Sequence, residues 1–334
     1  MSLRRGSLNL ITDVHGLCVG NAHDGRLWSG VTVVLPDRPA LAAVDVRGGA
    51  PGTRETDALA ATTLVEHVDA LVLSGGSAFG LEAASAVMNA LALQGRGFPV
   101  GTARVPIVPA AILFDLLNGG DKAWGESPPY AALGRAALAA AKTTFDLGNA
   151  GAGFGARAGS LKGGLGSAST VSADGLQVGA LVAVNSHGET TMPGSSCFWA
   201  WALAQPGDVG QQHPPAWPLP PDPPRYPSPM AGGHTSIGVV AANASLTRAE
   251  AQRVAIMAQD GFARAIRPVH TPFDGDTIFV LATERWELPA PRAETVLRIG
   301  AIAADCVARA VMRGIYSAKK LGEKLAYHDR FPSN

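Results

Sequence analysis

Short apolar runs broken by glycine and proline pattern the first third of the chain. Residues 31–35 and 41–46 are β-rich and closed by Pro and Gly, which predicts strands. Residues 55–68 read as a helix, 70–74 as a buried strand, and 78–93 and 131–142 as Ala-rich helices. From 148 to 166 the chain is almost all Gly, Ala and Ser, a composition that takes no regular structure unless something fixes it. Strand-like runs return over 171–185, ending in Gly-Ala-Leu-Val-Ala-Val-Asn.

The clearest break follows. Residues 206–229 read PGDVGQQHPPAWPLPPDPPRYPSP, which excludes helix and central strand because proline has no amide proton to give. This predicts a semi-rigid, exposed linker. Directly after it, His-Thr-Ser-Ile-Gly-Val-Val-Ala-Ala returns to buried strand. Thr247 and Glu250 then form a capping box, opening a helix with Val254, Met257, Ala258 and Phe262 on one face. A strand at 277–282 and a long helix from about 294 to 318 complete the chain. Strands and helices mixed without an internal repeat predict a layered α/β fold, two sheets between helical layers.

Composition narrows the function. The 334 residues carry 27 basic and 27 acidic side chains, so there is no electrostatic footprint for nucleic acid. Cys18, Cys197 and Cys306 are widely spaced and form no CxxC pair, which predicts small reduced thiols rather than a disulfide framework or a zinc ribbon. No apolar run reaches membrane-spanning length and the start lacks a signal-peptide core, so the expectation is a cytoplasmic protein with no membrane partner.

Four constellations offer chemistry. In Leu-Ser-Gly-Gly-Ser77-Ala-Phe-Gly80, a strand, a glycine turn and a helix resemble a nucleophile elbow, although Phe79 stands where G-x-S-x-G needs its second glycine. A serine hydrolase would also want its acid before its histidine, and Asp274 follows His270. The plainer reading is close helix–strand packing. Gly151-Ala-Gly-Phe-Gly is a weak dinucleotide loop without a clean preceding strand, but its amides suit an anion or oxyanion, and Lys162 beside it adds charge. Asp274-Gly-Asp276 after His270 is a turn, a metal site or an orienting pair; metal is disfavoured because only His270 lies nearby. Last is the junction itself. Cutting before Thr235 would give that residue a free α-amine with a pKa of about 7.7–8.0, a base for its own hydroxyl. On spacing alone, an ordinary loop-to-strand junction explains the same residues.

Long ordered strings then carry a resemblance. ITDVHGLCVG, GVTVVLP, AAVDVRGGAPGTRETDAL, LVLSGGSAFGLEAA, RVPIVPAAILFDL, KGGLGSAS, VGALVAVN, HTSIGVVAANASLT and RPVHTPFDGDTIFVLAT run through most of the chain. They resemble the self-processing L-aminopeptidase/D-esterase (D-amidase) family, which includes β-peptidyl aminopeptidases and 6-aminohexanoate (nylon) oligomer hydrolases. The resemblance implies an α-β-β-α sandwich of N-terminal-nucleophile type. It implies one hydrolase domain over 1–334, processed into a large chain 1–234, with 206–233 as linker, and a small chain 235–334. The family's nucleophile falls on Thr235, its orienting pair on Asp274 and Asp276, and its oxyanion-binding asparagine on Asn185. Lys162 matches the Lys-Gly-Gly string, whereas the functional lysine of the nylon-oligomer enzymes aligns nearer Ser160. His234 stands where Asn is common, and Phe114 where some aminopeptidases have tyrosine. The expected protein is a cofactor-free, metal-free amide hydrolase acting on small peptides or amides, assembled as a homo-oligomer of processed heterodimers. The rivals are a serine hydrolase using Ser77 and a non-catalytic ligand-binding protein.

Overall fold

The computed structural model describes residues 2–216 and 233–332. Seven strands precede the first helix: β1 (Leu3–Arg5), β2 (Leu17–Asp24), β3 (Ser29–Pro36), β4 (Ala40–Val46), β5 (Thr53–Arg54), β6 (His67–Val68) and β7 (Leu71–Ser74). Helix α1 (Glu82–Leu93), the β8–β9 hairpin (Phe98–Val100, Ala103–Val105), β10 (Ala110–Ile112) and α2 (Tyr130–Ala139) follow. Next come β11 (Arg157–Ala158), β12 (Leu161–Lys162), β13 (Gly164–Ser172) and β14 (Gln177–Val184). Beyond the junction lie β15 (Ile237–Ala244), α3 (Arg248–Ala265), β16 (Thr277–Trp286), α4 (Arg292–Tyr316) and α5 (Tyr327–Arg330).

Two sheets organise these elements. The larger runs β1-β13-β14-β15-β16-β4-β6 and the smaller β2-β3-β7-β10-β5. Their facing sides share one apolar core, in which Val19, Val34, Leu71 and Leu73 meet Leu165, Leu181, Val239, Phe279 and Leu281. A second core lies between the other face of the larger sheet and helices α3 and α4, through Val240, Val280, Phe262 and Val307. A third joins the smaller sheet to α1 and α2 through Val33, Val72, Val87 and Leu138. The alternation of Val239 and Val240 between two cores is the strand period of two at work. Small residues let the layers close: a Cβ added at Gly166 would stand 1.8 Å from the Ala310 carbonyl oxygen of α4.

Within the larger sheet, β15 and β16 are parallel and α3 forms the crossover between them, while β14 and β4 flank the pair antiparallel. Thr247 caps α3 as its sequence predicts, accepting from the Glu250 amide. Among the described residues no helix is long and apolar enough to cross a membrane.

Two expectations need correction and one condition is met. Residues 55–68 are not a helix: they hold one 3₁₀ turn (Asp57–Leu59) and strand β6. Tertiary bonds override the local pattern there. Thr53–Arg54 is drawn into the sheet beside β10, Glu55 takes φ 57° with its carboxylate accepting from the Val108 amide, and Arg248 of α3 holds the Ala60 and Thr63 carbonyls. The Gly/Ala/Ser stretch 148–166 is ordered, because β13 begins at Gly164 and pairs rung by rung with β14. The start of the proline-rich segment is anchored rather than wholly exposed: buried Asp208 pairs with buried Arg309 at 2.7 Å. Residues 217–232 of that segment lie outside the described residues.

Candidate active site

The ends of three neighbouring strands make the site. The β14–β15 register sets Ala183 opposite Ile237, so two residues further on Asn185 meets Thr235, and the Thr235 amide donates to the Asn185 carbonyl oxygen at 2.6 Å. The parallel β15–β16 register sets Ile237 beside Thr277, which brings Gly275 and Asp276 alongside Thr235 and Ser236. The Gly275 amide donates to the Thr235 hydroxyl oxygen at 3.0 Å, and the Ser236 amide to Asp276 Oδ1 at 2.9 Å. Thr235, Asn185, Asp274 and Asp276 are all buried. The Thr235 hydroxyl itself donates to the carbonyl oxygen of His234, the residue just before it.

The two carboxylates hold the surrounding backbone. Asp276 Oδ2 accepts from the His270 amide at 3.1 Å and contacts its ring Nδ1 at 2.9 Å. Asp274 accepts from the His187 amide at 3.1 Å and from the Thr271 amide and hydroxyl. Burial, reinforced by the charge of Asp276, pushes the Asp274 carboxyl above its ordinary range, against the pull of those bonds. A side chain at Gly275 would crowd the Ala50 carbonyl, 2.6 Å away, and the Thr235 hydroxyl, 2.9 Å away, so glycine is what lets the turn between the carboxylates touch Thr235.

A pocket of about 180 Å³ opens at the His234 side, lined by Phe114, Asp115, Leu117, Asn118, Gly155, Arg157, Asn185, Gly233 and His234. Its size suits one residue or a short acyl chain rather than a large ligand. The Asn185 side chain spans the wall, its Oδ1 accepting from the Arg157 amide at 2.8 Å and its Nδ2 donating to the Phe114 carbonyl at 3.0 Å. Burial, helped by the nearby bases His187, Lys324 and Arg157, pushes the His234 ring down to about 4.

The structure therefore gathers Thr235, Asn185, Asp274 and Asp276. Lys162 stands apart: it is fully buried, its ammonium donates to the Gly153 and Gly163 carbonyls, and no hydrogen bond joins it to Thr235. Burial pulls it down to about 7 against the opposing charge of Asp115. Ser77 opens the 3₁₀ segment that follows β7, with φ 52°, and among the described residues no hydrogen bond reaches its hydroxyl. Two pocket residues escape sequence reasoning. Asp115 is buried with Oδ1 on the Gly76 amide at 2.8 Å, Oδ2 unbonded and its carboxyl pushed up by burial. Arg157 contributes both its amide and a half-buried guanidinium. A lone acid inside the apolar run Ala-Ile-Leu-Phe-Asp115-Leu-Leu was the available signal for the first; a single arginine among glycines and alanines gave none for the second. Among the described residues no group of three or more His, Cys, Asp or Glu is placed to hold a metal ion.

A buried hydroxyl, carboxylates at one strand end and a pocket beside a peptide carbonyl stand together in a mixed α/β architecture, an arrangement able to support hydrolytic chemistry. Residues 9–326 match the profile of Peptidase family S58, and the chain belongs to that family. It is 44% identical over 346 residues to an uncharacterized aminopeptidase of Mycobacterium tuberculosis, covering 97% of this chain and 98% of that one. It is 31% identical to a 6-aminohexanoate-oligomer endohydrolase of a Kocuria species, over 92% of this chain and 84% of that one. Among solved structures, a Burkholderia β-aminopeptidase superposes with a TM-score of 0.70 at 23% identity, over 98% of this chain and 93% of the other. The L-aminopeptidase D-Ala-esterase/amidase of Ochrobactrum anthropi, described as a variant of the Ntn-hydrolase fold, also gives 0.70, at 21% identity over 97% and 90%.

Proposed function

We propose that this chain is an autoprocessing amide hydrolase that cuts the His234–Thr235 bond and then works with Thr235 as its N-terminal nucleophile. The supporting observation is the hydroxyl's setting: Thr235 Oγ1 accepts from the Gly275 amide and donates to the His234 carbonyl oxygen. That carbonyl is the one an N-to-O acyl shift must attack. In that step the Thr235 oxygen bonds to the His234 carbonyl carbon, the C–N bond breaks, and the hydroxyl proton passes to the departing nitrogen. Water then cleaves the ester, leaving a carboxylate on His234 and both hydroxyl and amine on Thr235. The chains become 1–234 and 235–334 of one hydrolase domain, the cut falling just after the proline-rich linker sequence 206–233.

External amides repeat the chemistry. The freed amine, with a pKa of about 7.7–8.0, takes the hydroxyl proton as the oxygen attacks. It passes that proton to the leaving amine, and water resolves the acyl-enzyme. Asp274 and Asp276 keep the nucleophile's backbone in register, Asn185 and nearby amides receive the oxyanion, and Lys162 supplies charge behind the pocket. The order of the three cores supports a four-layered α-β-β-α sandwich of N-terminal-nucleophile type. The names of the relatives point to amino-acid amides of either hand, β-peptides and 6-aminohexanoate oligomers as substrates. A cytoplasmic homo-oligomer of processed heterodimers fits the same reading. Denaturing electrophoresis of the purified protein with N-terminal sequencing tests it. Two chains are expected, the smaller beginning Thr-Ser-Ile-Gly. A single chain with full amidase activity, or an acyl label on Ser77, would transfer the function to the serine reading.

A further inference from the structure

Before the cut, His234 is the acyl residue of the bond to be broken, so its surroundings outline the subsite that later receives the acyl half of an external amide. This use of His234 rests on the self-processing reading above. We propose that the subsite selects acyl residues bearing a carboxylate, with Arg157 and Lys324 as the recognising cations.

Two half-buried cations stand near His234. Arg157 lines the pocket together with His234, and its half-buried guanidinium donates to the Leu117 carbonyl at 3.0 Å. Lys324, also half-buried, donates to the Gly159 carbonyl at 3.2 Å. Among the described residues neither forms an ion pair with a carboxylate. Glu189 accepts from the Ser160 amide and hydroxyl, at 2.9 and 3.0 Å. Glu323 acts on Arg157 and Glu189 on Lys324, but burial outweighs both acids and holds the two cations below their ordinary values, while Asp115 on the pocket wall feels Lys122 and Lys162. The His234 ring stands 5.1 Å from the His187 ring, and burial first, then the charges of His187, Lys324 and Arg157, depress its protonation. A guanidinium half withdrawn from water, with only an exposed acid near it and no carboxylate in bonding contact, is costly, and its planar fork matches a carboxylate. An aspartyl or glutamyl group in the place of His234 supplies that counterion, and a lysyl group adds one more cation to a site already holding two.

The test uses the chain as its own substrate. Full-length His234→Glu and His234→Lys chains are expressed, and loss of the intact chain is timed. His234→Glu is expected to process at least tenfold faster than His234→Lys, and adding Arg157→Gln to each should shrink the gap below threefold. To keep the test independent of how His234→Lys folds, the mature parent enzyme is also assayed on glutamyl, glutaminyl and lysyl p-nitroanilides. There kcat/KM should fall in that order, and the glutamyl-to-lysyl ratio should drop in Arg157→Gln and in Lys324→Gln. Equal rates for the glutamyl and lysyl forms, or a ratio untouched by either substitution, overturn the proposal. If the parent never processes at all, it is the self-processing reading that fails instead.

Discussion

At the scale of single residues the hydroxyl of Thr235 serves two reactions, and that makes substitutions there unusually informative. Thr235→Ala removes the attacking oxygen from both, so the expected product is one intact 334-residue chain without amidase activity, read by mass spectrometry and amine release. Thr235→Ser keeps an oxygen and should still process. Asp276→Asn loses the charge that the Ser236 and His270 amides point at, so both processing and turnover should slow by about tenfold to a hundredfold, the worth of a charge-assisted contact of about 1.5–3 kcal/mol. The His234 ring, pushed down to about 4, gives a pH signature. Between that value and the unfolded imidazole's pKa of about 6.5, the unfolded chain binds a proton that the fold refuses, so stability falls as pH drops through this window. Melting the uncut Thr235→Ala chain at pH 7 and pH 5 should show that loss, and adding His234→Gln should remove part of it. Thr235, Asn185, Asp274 and Asp276 were legible because the strings around them are long and ordered. Asp115 left only the trace of an acid inside an apolar run and Arg157 left none, since what makes them notable is their place in the buried pocket wall, which no string of letters displays.

Among elements, periodicity was a good guide where one face of a segment decides its structure and a poor one where distant groups do. The capping box of α3 and the apolar stripe of Val254, Ala258 and Phe262 are local and were readable. Residues 55–68 were misread because Glu55 and Thr63 answer to Val108 and Arg248, far off in sequence. The glycine-rich stretch takes its order from what fixes it, and composition alone does not name that partner: β13 needs small residues to lie against α4. Gly166→Ala should therefore cost at least about 1–3 kcal/mol through overpacking, since the Ala310 carbonyl it would meet is backbone and cannot turn aside. A lowered melting temperature with an unchanged cleavage position would confirm that the cost is packing alone.

Over the whole molecule, the segment after position 234 contributes the two strands at the middle of the larger sheet, with β14 on one side and β4 on the other. A cut there should not release the pieces: after processing, gel filtration without denaturant should carry both chains in one peak. Arg309 strengthens the union from within α4, its guanidinium reaching Asp208 and Asn9, both from the segment before the cut. Burial works against the Asp208 carboxylate, but the Arg309 bond and charge outweigh it and hold the carboxyl below its ordinary value. Arg309→Met takes away the nearer of that carboxylate's two cations and leaves Arg313 at 3.7 Å, so the cost stays at or below the roughly 3–5 kcal/mol of breaking a buried pair outright. Chemical denaturation should reveal this loss.

The pairing of β4 with β16 also sets a schedule for the cell that makes the protein. Strand β4 ends at Val46 and its partner begins at Thr277. A ribosome adding about 5–20 residues per second needs roughly 12–45 s to supply one after the other. During that interval one edge of an apolar strand waits open, able to pair with the same strand of another nascent chain. Messages truncated before codon 277 should therefore yield pelleted protein, whereas the full reading frame, once β16 has emerged, closes the edge itself.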